Sequence, residues 1–323
     1  MSEKVIVARE IPDAGLRILR EAGHEVMILS DASQPPPSHG DLFSALPGAA
    51  ALLTTVTEKI DAGVLGAAGR RLRVVANMAV GYDNIDVDAA AQRGITVTNT
   101  PGVLDETTAD TAFMLLLAAA RRLGEGERLL RAGEWHAWGP KQLVGPDVWG
   151  KTLGIVGLGR IGEAVARRAR GFGMEILYHA RSEKPGAEAE LQAERSELED
   201  LLRDSDFVSI HTPLNEGTRN LIGARELSLM GESAVLVNTS RGPVVDEAAL
   251  AEALAEGTIF AAGLDVYEEE PKVHPKLMEL DNVVLAPHIG SASIETRDKM
   301  ASVAAENVVA ALRGETPPNA VNL

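Results

Sequence analysis

Three side chains in the second half of the chain are of types that move protons or hold anions. Arg241 lies in Asn238-Thr239-Ser240-Arg241-Gly242, Glu270 in Asp265-Val266-Tyr267-Glu268-Glu269-Glu270-Pro271, and His288 in Ala286-Pro287-His288-Ile289-Gly290. A guanidinium is a permanently charged, planar fork that meets a carboxylate through two parallel hydrogen bonds. An imidazole titrates near neutrality and can give a proton to a developing alkoxide, or take one back in the reverse direction. A glutamate touching that ring would favour its imidazolium form and fix its orientation. Glu270 is the candidate, with Glu268 and Glu269 as rivals if the loop bends differently. Single residues of these types are common on protein surfaces, so the case rests on the elements that carry them. All three segments follow short apolar runs that read as strands, and strand ends are where doubly wound sheets bind ligands.

The element that gives those strands a context begins at residue 153. The apolar run Leu153-Gly154-Ile155-Val156 leads directly into Gly157-Leu158-Gly159-Arg160-Ile161-Gly162, and residues 161–172 then read as a helix. Strand, glycine turn and helix in that order form a cradle for a dinucleotide pyrophosphate. The first glycine permits the tight turn, the second lets backbone approach the phosphates, and the third lets helix pack on strand. The helix start turns unpaired N–H groups toward the anion. Further strands are expected at 176–178, 207–210, 234–238, 260–264 and 283–286, separated by helical patterns, which predicts a doubly wound parallel sheet.

Because this motif starts mid-chain, residues 1–99 must form something else. Their apolar runs at 5–8, 26–29, 50–54, 74–76 and 95–98 alternate with Ala-rich amphipathic stretches, the pattern of a smaller α/β domain. Pro35-Pro36-Pro37 reads as a rigid surface loop. The last helical pattern, 294–313 with Gly314 as its stop, follows completion of the second sheet and is expected to return to the first domain. The domains are therefore read as 1–99 plus 289–323 and as 100–288, with a ligand cleft between them.

A chain of 323 residues, 45% of them hydrophobic, can bury a large core and suggests about two domains. Its formal net charge of −16 repels phosphate backbones and anionic lipid, so neither nucleic acid nor a membrane is expected as a partner. With no cysteine there is no disulfide, thiolate nucleophile or thiolate metal site, and no metal is expected. Residues 1–8 lack the basic and apolar regions of an export signal, and the apolar stretch 112–120 is too short to span a bilayer, so a cytoplasmic enzyme is expected. Trp135, Trp138 and Trp149 are the chain's three tryptophans and all fall between that stretch and residue 153. They read either as buried core or, preferably, as an arm that packs on a second copy of the chain.

The run Ala76-Asn77-Met78-Ala79-Val80-Gly81-Tyr82-Asp83-Asn84-Ile85-Asp86, the segment Gly154–Gly162, and the segments around Arg241 and His288 occur together and in order. In this the sequence resembles the D-2-hydroxyacid dehydrogenases, and among them the glyoxylate and hydroxypyruvate reductases. The resemblance implies a Rossmann nucleotide-binding domain joined to a smaller flavodoxin-like α/β substrate domain, with a dimerisation arm at about 121–149. It implies that Arg241 binds the substrate carboxylate and keto oxygen, that His288 shuttles the proton, and that Glu270 supports His288. It also implies that backbone amides at Val80 and Gly81 complete the carboxylate site, that domain closure assembles it, and that Trp138 reaches the pocket of a neighbouring subunit. The expected cofactor-lining set is Gly157, Leu158, Gly159, Arg160, Ile161, Gly162, Ala180, Arg181, Ser182, Thr212, Pro213, Thr239, Ser240, Arg241 and Asp265.

An NAD site ordinarily has an acidic residue about 20 positions beyond the glycines, to hold the ribose diol. Here that place reads Tyr178-His179-Ala180-Arg181-Ser182. An arginine beside a hydroxyl suits a 2′-phosphate, so NADPH is expected to be preferred, with NADH usable if Arg181 only stacks on adenine. The expected reaction is reversible hydride reduction of a small 2-oxoacid, glyoxylate or hydroxypyruvate. The alternatives are a D-lactate or 3-phosphoglycerate dehydrogenase, or a cofactor-sensing corepressor that shares the architecture.

Overall fold

The computed structural model describes residues 2–31 and 33–322. The chain divides into two compact units, Met1–Leu104 with Ala292–Leu323, and Asp105–Ser291. The crossings thus fall a few residues beyond those read from the sequence, for a local reason at each. Asn99 N–H donates to Asn319 O at 3.2 Å and Thr100 N–H to Ala79 O at 2.8 Å, which keeps both residues in the first unit. Ile289 and Gly290 donate to Asp265, which keeps them in the second.

The first unit is a parallel five-stranded sheet. Its strands are β1 (Lys4–Val7), β2 (Glu25–Ile28), β3 (Ala51–Thr54), β4 (Val74–Asn77) and β5 (Thr96–Thr98), in the order β2-β1-β3-β4-β5. This is the flavodoxin-like order. Val5, Ile6 and Val7 are wholly buried, as are Leu52, Leu53, Val74 and Val75. Strands covered on both faces need such continuous apolar runs, and that is why they could be read from the sequence. The helix Ile294–Arg313 belongs to this unit and ends at Gly314 in the left-handed conformation (φ 79°), which only glycine adopts without strain. It lies against the helix Asp13–Glu21 so closely that a Cβ on Gly15 would come within 2.6 Å of Ala301 O.

The second unit holds a parallel seven-stranded sheet, β12-β11-β10-β9-β6-β7-β8. Its strands are β6 (Thr152–Val156), β7 (Glu175–His179), β8 (Ala193–Arg195), β9 (Phe207–Ile210), β10 (Val235–Asn238), β11 (Ala261–Leu264) and β12 (Val283–Leu285). Six of these match runs read from the sequence. Edge strand β8 does not, because Ala193-Glu194-Arg195 carries no apolar alternation: only Ala193 enters the core, and the strand is otherwise placed by backbone pairing with β7 and polar contacts of Arg195. The chain order reverses between β6 and β9, where Leu153–Val156 pair with Phe207–Ile210. That reversal is the switch point at which such sheets bind ligands.

Two cores cover the faces of this sheet. One is built on Leu153, Ile155, Phe207, Val235 and Val237 with the helices Asp105–Ala120 and Arg160–Gly171, the other on Val156, Val208, Ile210, Leu236 and Leu264. Residues 121–149 leave this body as the helix Leu123–Arg131 and an irregular segment, tied back where Arg128 pairs with Asp281 at 2.7 Å. The tryptophans on this segment are not core. Trp135, Trp138 and Trp149 are 50%, 79% and 77% exposed.

Helix–helix contact at Gly15 gives a sign test. An alanine in a helix ordinarily gains about 0.5–1 kcal/mol over glycine, and Gly66→Ala should do so because open space surrounds that position. Gly15→Ala should instead destabilise by about 1–3 kcal/mol, since the added methyl meets backbone that cannot give way. Urea unfolding of the two variants measures both signs.

Candidate active site

Since every strand of the second sheet runs the same way, the loops after β6, β7, β9, β10, β11 and β12 emerge at one edge. Those loops carry the cofactor-lining and catalytic candidates of this unit. After β6, Gly157 takes a φ of 100° and packs flush on the chain after β9, where a Cβ would stand 2.8 Å from His211 C. Gly162 abuts the turn itself, with 2.4 Å from its would-be Cβ to Gly157 O. Gly159 differs, because nothing lies within 4 Å of where its Cβ would project. It is also the N-cap of the helix Arg160–Gly171 and provides no side-chain cap. A glycine with open space over it, beneath uncapped helix N–H groups, fits a pyrophosphate. Leu158 is buried, while Arg160 is exposed and Ile161 partly so.

Beyond β7, Ala180 is partly buried, and Arg181 and Ser182 are exposed. The Ala180 carbonyl accepts a hydrogen bond from Arg195 at 3.3 Å. Arg195 also faces Glu183 at 3.8 Å, an acid one residue past the segment that was read for ribose recognition. Past β9, His211 precedes Thr212 and Pro213; its Nε2 lies 2.8 Å from Ser209 Oγ, and burial holds its pKa down at about 4, so the ring is neutral at physiological pH. Past β10, Asn238 folds the turn. Its Oδ1 accepts from Ser240 N–H at 3.0 Å and Ser240 Oγ at 2.9 Å, and its Nδ2 donates to Arg241 O at 2.9 Å. Thr239 Oγ1 is buried without a hydrogen-bond partner among the described residues.

The proton-transfer candidates meet directly. His288 Nδ1 stands 2.8 Å from Glu270 Oε2, and Glu270 Oε1 accepts from Tyr267 N–H at 3.1 Å. Glu270, rather than Glu268 or Glu269, is the acid that reaches the ring. Desolvation alone would raise the Glu270 pKa. The hydrogen bond and charge of His288, the Tyr267 N–H and the Arg241 charge outweigh it and leave the pKa below the usual carboxylate value. Glu270 is therefore ionised at neutral pH, and the pairing is lost only on acidification through that lowered value. With Nδ1 engaged, Nε2 is the ring nitrogen left to face a substrate oxygen.

His288 itself sits at φ 55°, a left-handed conformation that costs a non-glycine residue roughly 1 kcal/mol or more. Asp265 holds it there. Its two carboxylate oxygens accept from Ile289 and Gly290 N–H at 2.7 Å each. Tyr267, buried, adds a bond from its hydroxyl to Ala286 O at 2.9 Å. Neither anchoring role could be found from residue type and spacing.

The first unit carries Val80 and Gly81 on the loop after β4. The loop is held by its carbonyls: Ala79 O accepts from Thr100 N–H at 2.8 Å, Val80 O from Asn99 Nδ2 at 2.8 Å, and Gly81 O from Asn77 Nδ2 at 2.7 Å. The N–H groups of Val80 and Gly81 donate to nothing among the described residues. Adjacent free amides of this kind suit an anion.

Comparison with known proteins decides the family. Residues 113–290 match the model of the D-isomer specific 2-hydroxyacid dehydrogenase, NAD binding domain. The chain belongs to the D-isomer-specific 2-hydroxyacid dehydrogenases. It is 51% identical over 326 residues to a glyoxylate reductase of Thermococcus litoralis, covering 100% of this chain and 97% of the relative. To one of Korarchaeum cryptofilum it is 54% identical over 325 residues, covering 100% and 96%. Among solved structures, a protein of Thermus thermophilus superposes with a TM-score of 0.92 at 47% identity, over 98% of this chain and 99% of that one. The NADPH-dependent glyoxylate/hydroxypyruvate reductase of Sinorhizobium meliloti, in complex with NADP and malonate, gives 0.84 at 36% identity, over 99% and 97%. The chain is thus an NAD(P)-dependent oxidoreductase with a nicotinamide cofactor. Among the described residues no group of acids and histidines could hold a metal ion, and no helix is long and apolar enough to cross a membrane.

The space above Gly159 can be probed separately from the fold. Gly159→Ala should leave the unfolding midpoint unchanged and weaken NADP+ binding at least about tenfold, or about 1.4 kcal/mol. Isothermal titration beside a thermal melt would check both halves.

Proposed function

We propose that this enzyme reduces glyoxylate and hydroxypyruvate with NADPH, with Arg241, Glu270 and His288 as its catalytic group. The 2.8 Å contact between His288 and Glu270 carries the reading, because it sets an ionised carboxylate behind a ring whose far nitrogen is left to deliver a proton. Arg241 binds the substrate carboxylate and holds the keto oxygen beside that nitrogen. Its fixed charge stabilises the alkoxide as it forms. In the first unit the N–H groups of Val80 and Gly81, which donate to nothing among the described residues, are suited to an anion. When bound, the reduced nicotinamide supplies the hydride to the carbonyl carbon. Gly157, Gly159 and the first turn of the helix Arg160–Gly171 hold the pyrophosphate, and Thr239, Ser240 and Asp265 line the same edge. Arg181 and Ser182 take the 2′-phosphate, which favours NADPH over NADH. The names of the curated relatives and of the Sinorhizobium meliloti enzyme support both the substrates and the cofactor.

The functional test is steady-state oxidation of NADPH and NADH with glyoxylate, hydroxypyruvate, pyruvate and 2-ketobutyrate. The expected result is highest kcat/KM for glyoxylate or hydroxypyruvate with NADPH, and a fall in kcat of at least about 10²-fold in His288→Ala at neutral pH with NADP+ affinity retained. A clear preference for NADH would refute the cofactor assignment, and undiminished turnover by His288→Ala would remove it from the reaction.

The arm at 121–149 is read as the contact surface of a homodimer. Its three exposed tryptophans, with Leu123 and Leu130 exposed at 64% and 60%, support that reading. Sedimentation equilibrium should give a dimer, and Trp138→Glu should raise its dissociation constant at least about tenfold. A monomer at micromolar concentration would exclude the assignment.

A further inference from the structure

The loop that presents Glu270 is fastened by a carboxylate that the reaction does not use. Glu247 opens the helix Glu247–Glu256 and is only 6% exposed. Its Oε1 accepts from Glu268 N–H at 2.5 Å and its Oε2 from His274 N–H at 3.2 Å. Glu268 returns a bond, its Oε1 accepting from Glu247 N–H at 2.9 Å. One side chain thus bridges both ends of residues 268–274, with Glu270 inside the span. Six residues before it, the same chain segment carries Arg241. There the contact is steric, since a Cβ on Gly242 would fall 1.8 Å from Tyr267 C. The Arg241–Glu247 segment therefore grips the Glu270 loop at two points, by close packing at Gly242 and by hydrogen bonding at Glu247.

The chemistry of the second grip is unusual for a mere fastening. Among the described residues no salt bridge neutralises Glu247; the charge of Glu268 opposes its ionisation and that of His274 favours it. Burial of an ionised group without a counter-ion is costly, and desolvation raises the Glu247 pKa accordingly. An amide would avoid the charge but supplies only one acceptor oxygen to two converging N–H donors.

We infer that Glu247 is a positioning residue for the proton-transfer pair: by holding residues 268–274 at both ends, it keeps the Glu270 carboxylate on His288. The inference rests on the roles proposed above for Glu270 and His288. Glu247 acts through the position of Glu270, since its own bonds go to Glu268 and His274.

Glu247→Gln is the direct test, with Glu247→Asp, which keeps the charge but shortens the reach, as a second variant should the first fold poorly. Expected for Glu247→Gln are a kcat at least about tenfold lower, KM and NADP+ dissociation constant within about twofold of wild type, and a basic limb of the kcat–pH profile moved to lower pH, as in Glu270→Gln. Glu247→Asp should lie between the two. In the double variant with Glu270→Gln the loss should be no greater than in Glu270→Gln alone, because one residue works through the other. A lowered melting temperature with an unmoved pH profile, or additive losses in the double variant, would overturn the inference. If Glu270→Gln moves the profile and neither Glu247 variant does, only this inference falls. If Glu270→Gln itself leaves kcat and the profile unchanged, the assignment of the proton-transfer pair falls with it.

Discussion

The carboxylate of Asp265 takes the N–H groups of Ile289 and Gly290 at 2.7 Å each, and the direction in which His288 points depends on those two bonds. They are the backbone bonds that hold a histidine at φ 55°. Hydrogen bonds to a charged acceptor are worth about 1.5–3 kcal/mol each, enough for the pair to exceed the strain of one left-handed residue. The bonds also confine the peptide beyond the ring, so the ring has one backbone tether and one side-chain tether, Asp265 behind and Glu270 at Nδ1. Desolvation raises the Asp265 pKa while the two donors oppose that rise. Its ionised form is the one with two full acceptors, so donors and charge sustain each other.

The same device recurs around the edge of the sheet. Past the last ladder bond of a parallel strand the backbone still needs partners, and here polar side-chain groups supply them. Asn238 closes the Arg241 turn, Glu270 takes Tyr267 N–H, and Tyr267 donates to Ala286 O. The first unit follows suit. Glu58, buried, accepts from Thr54 Oγ1 at 2.9 Å and Thr55 N–H at 2.7 Å, and Asn84 donates to the carbonyls of Thr55 and Glu58 at 2.8 and 2.9 Å. These bonds fix the neighbourhood of Val80 and Gly81 through groups other than the two amides left free. Rigid anchoring from behind leaves donors in front with no reorganisation to undergo when an anion arrives, which is the property electrostatic catalysis requires.

What could be read from the sequence follows from how each feature is encoded. The buried strands announced themselves because burial on both faces demands uninterrupted apolar residues, as in Val235-Leu236-Val237. The glycine turn was legible because only glycine satisfies its contacts at positions 157 and 162. Strand β8 was not, since an edge strand can be held by backbone pairing with polar side chains outward. Spacing brought Arg241, Glu270 and His288 to one sheet edge, yet it could not rank Glu268, Glu269 and Glu270. That ranking depends on which of three adjacent carboxylates the loop turns inward, and the loop is set by Glu247, some twenty positions earlier in the chain. A carboxylate's partner is a property of the folded chain: Asp265 and Glu247 are ordinary acids in the sequence and backbone anchors in the structure.

Charge poses the remaining problem, because a chain of net −16 must attract anions. Its long-range field opposes them, so the proposed function calls for short-range donors in each unit: the helix start at Arg160 and the Arg241 fork in the second, and the amides of Val80 and Gly81 in the first. Beyond β7 the local charges are mixed. Arg181 and Ser182 offer donors, but Glu183 brings a carboxylate beside them. Arg195 engages Glu183 at 3.8 Å while bonded to Ala180 O, in a pair exposed enough to be worth less than about 1 kcal/mol. Strand β8 thereby acquires a purpose beyond completing the sheet. By carrying Arg195 alongside β7, in register with Tyr178, it sets a cation against the Glu183 carboxylate. So weak a pair can loosen at little cost, which leaves Arg181, Glu183 and Arg195 as three exposed charges in local balance beyond β7.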